Sequence, residues 1–212
     1  MHRIKIIDNF IEPIDALTLI QQQNDPNSIR LPYPEYYKER FGGTSLPYNP
    51  TVMSILKKYG DKSNEVHKEL NGFKSPIYVF KGFGSHWTTG SKGPLHLDAQ
   101  DPEPWIEWST IIYLNEEPEY TGGKIFFPNQ DFIYQPKRYS AVFFPSAGSE
   151  YIHGITEVKS GHRYTALYMH TSLPQHADPD FLGEDKNPRW RAPEHEFNYI
   201  WLWNTRLRIS LL

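Results

Sequence analysis

The chain has 212 residues, of which 38% are hydrophobic and 22% charged, a balance that suits one well-packed domain and argues against disorder. Its formal net charge is −3 and its lysines and arginines are scattered, so it lacks the basic stripe of a nucleic-acid or anionic-membrane binder. It has no cysteine, which removes disulfide frameworks, thiolate catalysis and cysteine zinc sites together.

The first stretch, MHRIKIIDNFIEP, carries Asp8 and Glu12 and lacks a signal-peptide core, and no apolar run reaches membrane-spanning length. The expectation is a cytoplasmic protein without membrane or nucleic-acid partners. Ile4 to Ile7 reads as a short strand. Pro13 then suits the first position of a helix with Ile14, Leu17 and Ile20 on its apolar stripe. Asn49 and Pro50 form a second cap-plus-proline start, followed at helical spacing by Val52, Ile55, Leu56 and Tyr59, with Val66 and Leu70 extending the stripe. The charged run GDKSNEVHKEL reads as a solvated helix face, and His2, His67 and His195 are expected in solvent.

From Ser75 the character changes. PIYVFKGFG, WIEWSTIIYLN, GKIFFP, DFIYQP, YSAVFFP, HGITEV and HRYTALYMHT are short runs rich in β-branched and aromatic residues, punctuated by Gly, Pro, Asn and Ser. Such spacing predicts an antiparallel sandwich or barrel flanked by helices. The glycine-bearing KGFGSHWTTGSKG lacks phosphate-loop spacing and reads as a mobile loop. A last helix is expected near Pro193, with Phe197, Ile200 and Trp201 on its apolar face; it reads as a core or dimer helix before a substrate lid. The organisation expected is one domain: residues 1–74 as helical and strand support, 75–172 as the β core and 173–212 as a tail.

Within the β region, GPLHLDAQ sets His96 and Asp98 two residues apart, and strand periodicity points both to one face. Burying an imidazole beside a carboxylate is costly unless something holds both. A third group, His153, opens HGITEV, and Arg163 follows in SGHRYTALYMH. Two imidazoles and one carboxylate are the facial triad of non-heme Fe(II) oxygenases, which leaves coordination positions open. Such iron sites use a chelating 2-oxo acid, whose far carboxylate needs a buried cation. Arg163 fits because its guanidinium forms a planar, bidentate fork, and Tyr113 can add a hydroxyl. Ser109, Ile111 and Tyr113 share one strand face, and Arg163, Thr165 and Leu167 share another. His170 has the opposite parity and points away. Trp87, Trp105 and Trp108 are candidates for a groove floor, although packing explains each as well.

The segments IKIIDNFIEP, GPLHLD, IIYLN, TGGKIFFP and FFPSAGSEYIHGITEVKSGHRYTALY, in that order, resemble the Fe(II)/2-oxoglutarate-dependent dioxygenases, most closely the prolyl 4-hydroxylase-like subclass. The resemblance implies a double-stranded β-helix, or jelly roll, that is mainly β with flanking helices. It implies iron ligation by His96, Asp98 and His153, and 2-oxoglutarate binding by Arg163, Tyr113 and Thr165. O2 is then the co-substrate, and ascorbate is a further candidate. Trp87 stands where the family often has a tyrosine. Lys124, Ile125, Glu157, Met169 and His170 also depart from its usual pattern. The activity implied is hydroxylation of an unactivated C–H bond in a peptidyl, prolyl-like or amino-acid substrate. Two rivals share the fold: a cupin-type metalloenzyme that does not use 2-oxoglutarate, and a jelly-roll binding module without turnover.

Overall fold

The computed structural model describes residues 3–25, 49–100 and 103–182. The described residues form three helices, α1 (Pro13–Asn24), α2 (Pro50–Leu70) and α3 (Pro179–Leu182). They also form β1 (Lys5–Ile7), β2 (Tyr78–Thr88), β3 (Gly93–His96), β4 (Trp108–Tyr113) and β5 (Tyr120–Gly122). The remaining strands are β6 (Ile125–Phe127), β7 (Phe132–Tyr134), β8 (Ala141–Pro145), β9 (His153–Ile155) and β10 (Val158–Thr171). None of the described helices is long and apolar enough to cross a membrane.

The larger sheet runs β1-β8-β4-β10-β2, with β5 pairing the start of β10; the smaller runs β3-β9-β6-β7. All of the pairings are antiparallel. The two sheets make the expected jelly roll, flanked by helices. Side-chain alternation divides the core into two layers. On the larger sheet, Ile112, Ala141, Phe143, Tyr164, Ala166 and Tyr168 pack outward against α1 and α2. Their neighbours Ile111, Tyr113, Val142 and Phe144 turn inward against Ile125, Phe127 and Ile155 of the smaller sheet. Both β4 and β8 are buried along their whole length, which is why β8 reads as an unbroken apolar run.

Both helix starts follow the proline logic. The Asn49 side chain accepts the Val52 N–H at 2.9 Å, and Pro50 opens α2. The buried face of α2 carries Val52, Ile55, Leu56 and Tyr59, as its spacing predicts. The stripe expected on α1 is rotated. Ala16, Leu19 and Gln23 are buried, whereas Ile14 and Leu17 are 68% and 49% exposed. The cause is a tether from α2: the Tyr59 hydroxyl donates to Asp15 Oδ2 at 2.7 Å and accepts the Glu12 N–H at 2.9 Å.

Two further expectations are corrected and one holds. His67 is fully buried, not solvated, and so is Ser63 of the same run. His67 Nε2 lies 2.8 Å from Thr110 Oγ1 on the outward face of β4, because α2 lays this side on the sheet. His170 does point away from Arg163, as parity requires, into the same layer, with its Nδ1 2.9 Å from Asn64 Oδ1 and its Nε2 3.1 Å from Thr110 Oγ1. Finally, most of KGFGSHWTTGSKG is strand, not loop: Lys81 to Thr88 pair with β10. Its Gly82 marks close packing. A Cβ on Gly82 would fall 2.4 Å from the Phe181 ring, and one on Gly60 would meet the same ring at 3.1 Å. Phe181 of α3 thus seats the chain after β10 in a notch between α2 and β2. The helix expected near Pro193, with Phe197, Ile200 and Trp201, lies outside the described residues, as do His2 and His195.

Candidate active site

Strands β3 and β9 meet with His96 directly opposite His153. Their rings lie on the inner face with centroids 4.4 Å apart. Each ring turns its Nδ1 to the carbonyl two residues before it: Pro94 O at 2.8 Å from His96, and Tyr151 O at 3.1 Å from His153. A carbonyl held at Nδ1 orients each ring and turns its Nε2 inward. The two Nε2 atoms lie 3.3 and 4.0 Å from Asp98 Oδ1. The three ligand atoms all fall within 4.8 Å of one another.

Asp98 does not sit on the strand with His96. β3 ends at His96, and Asp98 follows on a bend. Two serines return it to the site: the Ala99 N–H donates to Ser146 O at 3.1 Å, and Ser109 Oγ donates to Asp98 Oδ2 at 2.6 Å. Burial alone would raise the Asp98 pKa. The charges of His153 and His96 and the hydrogen bonds from His96 and Ser109 outweigh it, leaving the group at about 2. Burial lowers the pKa of His153, helped by His96 and opposed by Asp98. The carboxylate stays ionised, and with neutral imidazoles it is the ligand set a divalent cation takes.

Arg163 is 2% exposed and lies on the inner face of β10. Its guanidinium carbon sits 5.4 Å from the Trp87 ring and 5.2 Å from the Tyr113 ring. Trp87 is its partner across β2, and Tyr113 on β4 pairs with Thr165. Among the described residues, Arg163 Nε and Nη2 and the Tyr113 hydroxyl have no hydrogen-bond partner. Buried donors of this kind are rare in a finished fold, and they fit an anion of planar geometry. Gly123 provides the room. Its φ is +60°, and a Cβ there would lie 2.8 Å from Arg163 Cδ. Thr165 shares the face, but its hydroxyl is directed at Ser85 O, 3.5 Å away.

One residue of this cluster escaped the sequence reading. Tyr120 of β5 is fully buried, and its hydroxyl is likewise unpartnered. Burial raises the phenol pKa of both Tyr113 and Tyr120, and Arg163 opposes the rise in each case. Both remain protonated donors. The only signal in the sequence is the placement of Tyr120 just before Gly122 and Gly123.

A pocket of about 70 Å³ opens on the triad and is lined otherwise by Phe83, Trp87, Ile111, Ile155, Leu167 and Met169. Of the three candidate tryptophans only Trp87 lines it. Trp108 packs on His67 on the helix side, and Trp105 stacks on His176.

Residues 83–170 match the model of the 2OG-Fe(II) oxygenase superfamily. This span holds the triad, Arg163, Tyr113 and Tyr120. The match supports a 2OG-Fe(II) oxygenase core in this part of the chain. Fe(II), 2-oxoglutarate and O2 are what that family implies, and the His96, Asp98 and His153 site fits the iron. Its sequence matches no curated protein.

Solved structures extend the likeness of fold. A viral collagen prolyl hydroxylase from Paramecium bursaria Chlorella virus-1, in complex with 2OG, superposes with a TM-score of 0.64 at 18% identity, covering 81% of this chain and 96% of that one. A Pseudomonas putida prolyl-4-hydroxylase gives 0.63 at 14% identity, covering 82% of this oxygenase and 94% of that chain. A Trichoplax adhaerens prolyl hydroxylase, in complex with a hypoxia inducible factor peptide fragment, gives 0.62 at 14%, with coverages of 81% and 84%.

Proposed function

We propose that this oxygenase hydroxylates an unactivated C–H bond of a peptidyl, prolyl-like residue, with Fe(II) held by His96, Asp98 and His153 and 2-oxoglutarate anchored by Arg163 and Tyr113. The observation that carries the reading is that Trp87 joins the two groups of side chains. The triad and Trp87 line one pocket, and the guanidinium of Arg163, with its unpartnered donors, lies 5.4 Å from the Trp87 ring and 5.2 Å from that of Tyr113. Bound iron, 2-oxoglutarate and O2 supply oxidative decarboxylation to succinate and CO2, coupled to hydroxylation of the substrate.

The chain's own residues have separate tasks. His96 and His153 offer Nε2, and Asp98 offers Oδ1 while Ser109 restrains the other oxygen. Arg163 neutralises the far carboxylate of the co-substrate with a two-pronged contact, and Tyr113 adds a donor. Ile111, Ile155, Leu167 and Trp87 keep water from the space around these charges. Phe83 and Met169, farther along the same strand faces, receive the substrate. In this reading residues 75–172 are the catalytic core, 1–74 support it and 173–212 form a tail.

The peptide assignment draws on the fold shared with prolyl hydroxylases, one of them solved with a peptide. Its test is 2-oxoglutarate-dependent succinate formation with a panel of proline-containing peptides against free proline and other amino acids. Stimulation by peptides and mass gain of one oxygen on a prolyl residue supports the assignment. Stimulation by free amino acids alone overturns it.

A further inference from the structure

We infer that Tyr120 binds the co-substrate, donating its hydroxyl to the same far carboxylate that Arg163 and Tyr113 hold. The inference rests on the reading above and deepens it. Gly161 on β10 pairs with Tyr120 on β5, which brings the ring beside the strand that carries Arg163. The two side chains converge on Gly123: a Cβ there would lie 2.8 Å from Arg163 Cδ and 3.3 Å from Tyr120 Cε2.

Counting donors and acceptors supports the assignment. A carboxylate offers about four lone-pair sites. Arg163 Nε, Arg163 Nη2, Tyr113 Oη and Tyr120 Oη are buried donors without a partner among the described residues, and they match that number. The neighbours that might have served are occupied. The Trp87 indole N–H is committed to Ser85 Oγ, and the Thr165 hydroxyl is directed at Ser85 O. A tyrosine present only for packing gains nothing from its oxygen in this layer, where phenylalanine would bury the same ring without an unmet donor. The guanidinium, which only donates, also sets selectivity. It favours a carboxylate over the corresponding amide, whose NH₂ would face its N–H groups.

The test uses the full chain loaded anaerobically with Fe(II), comparing Tyr120→Phe with wild type. Affinities for 2-oxoglutarate and for pyruvate, a 2-oxo acid without the far carboxylate, are read from the visible charge-transfer band and by calorimetry. Tyr120→Phe is expected to weaken 2-oxoglutarate binding roughly tenfold to a hundredfold, the effect of losing one hydrogen bond to a charged group, and to leave pyruvate and Fe(II) binding unchanged. Equal weakening of both acids overturns the inference, because the loss is then not at the far carboxylate. Arg163→Met separates the two levels of failure. If it loses 2-oxoglutarate while Tyr120→Phe binds normally, Tyr120 is a packing residue and the functional reading stands. If neither change affects 2-oxoglutarate, the functional reading falls as well.

Discussion

Ser109 Oγ lies 2.6 Å from Asp98 Oδ2 and 2.7 Å from Ser146 Oγ, so two hydroxyls in series restrain one carboxylate oxygen while the other faces both histidines. Ser109→Ala leaves Oδ2 without its donor and frees the carboxylate to rotate. Loss of such a supporting contact typically costs about 10–100-fold in metal affinity or activity. Anaerobic Fe(II) or Mn(II) titration of Ser109→Ala should show a decrease of that order with the fold retained. Wild-type affinity would mean that the backbone bend alone positions Asp98.

Asp98→Ala removes the anionic member of the triad. It is expected to abolish 2-oxoglutarate turnover and the charge-transfer band while leaving the far-ultraviolet circular dichroism unchanged, since the side chain lies on a bend outside both sheets. Succinate formation at the wild-type rate would reject the triad as the metal centre.

Much of this site was legible because strand alternation is a short-range rule. Parity alone set His170 apart from Arg163 and grouped Ser109, Ile111 and Tyr113. Other features depend on contacts between distant parts of the chain. The rotation of α1 is set by Tyr59 of α2, so Ile14 and Leu17 looked like core and are not. His67 lies in a charged run but faces the sheet through Thr110. Tyr120 could not be placed because β5 meets β10 across a register shift between Val158 and Ser160, which local alternation does not encode. The glycines of KGFGSHWTTGSKG were misread as mobility, because the ring that packs on Gly82 belongs to Phe181.

Arg163 predicts a trade between stability and binding. Without co-substrate, its buried guanidinium faces aromatic rings and has two unpartnered nitrogens. Replacing a buried ionic group by an apolar one of similar volume is often neutral or stabilising, by about 1–4 kcal/mol. Arg163→Met should therefore unfold at the same or a higher temperature than wild type in the absence of 2-oxoglutarate. It should also lose the thermal shift that 2-oxoglutarate gives the wild type. A lower melting temperature in the ligand-free variant would show that Arg163 holds the fold together.

The His67 and His170 pair predicts acid sensitivity. Burial depresses the pKa of His170 to about 3, and burial followed by the charge of His170 depresses that of His67. The groups facing them are Thr110, Asn64, Trp108 and Phe143, none of them a carboxylate. An unfolded histidine titrates near about 6.5. Between that value and about 3 the unfolded chain binds more protons than the native one, so stability falls as pH is lowered through this window and is fully present above it. The slope for His170 alone approaches about 1.4 kcal/mol per pH unit. Urea unfolding at pH 7 and pH 5 should show this loss, and His170→Gln should flatten it. An unchanged slope in the variant would assign the titration to other groups.

The pairing of His96 with His153 has a consequence for assembly as well as chemistry. The smaller sheet is short, and in it strand alignment has only a few side chains to enforce it. A slip of one residue between β3 and β9 would turn one imidazole to the outside. A chain so joined keeps its backbone pairing and has no place for iron. A metal held by these residues would act as a gauge of correct alignment, rewarding the single pairing in which segments far apart in sequence meet imidazole to imidazole.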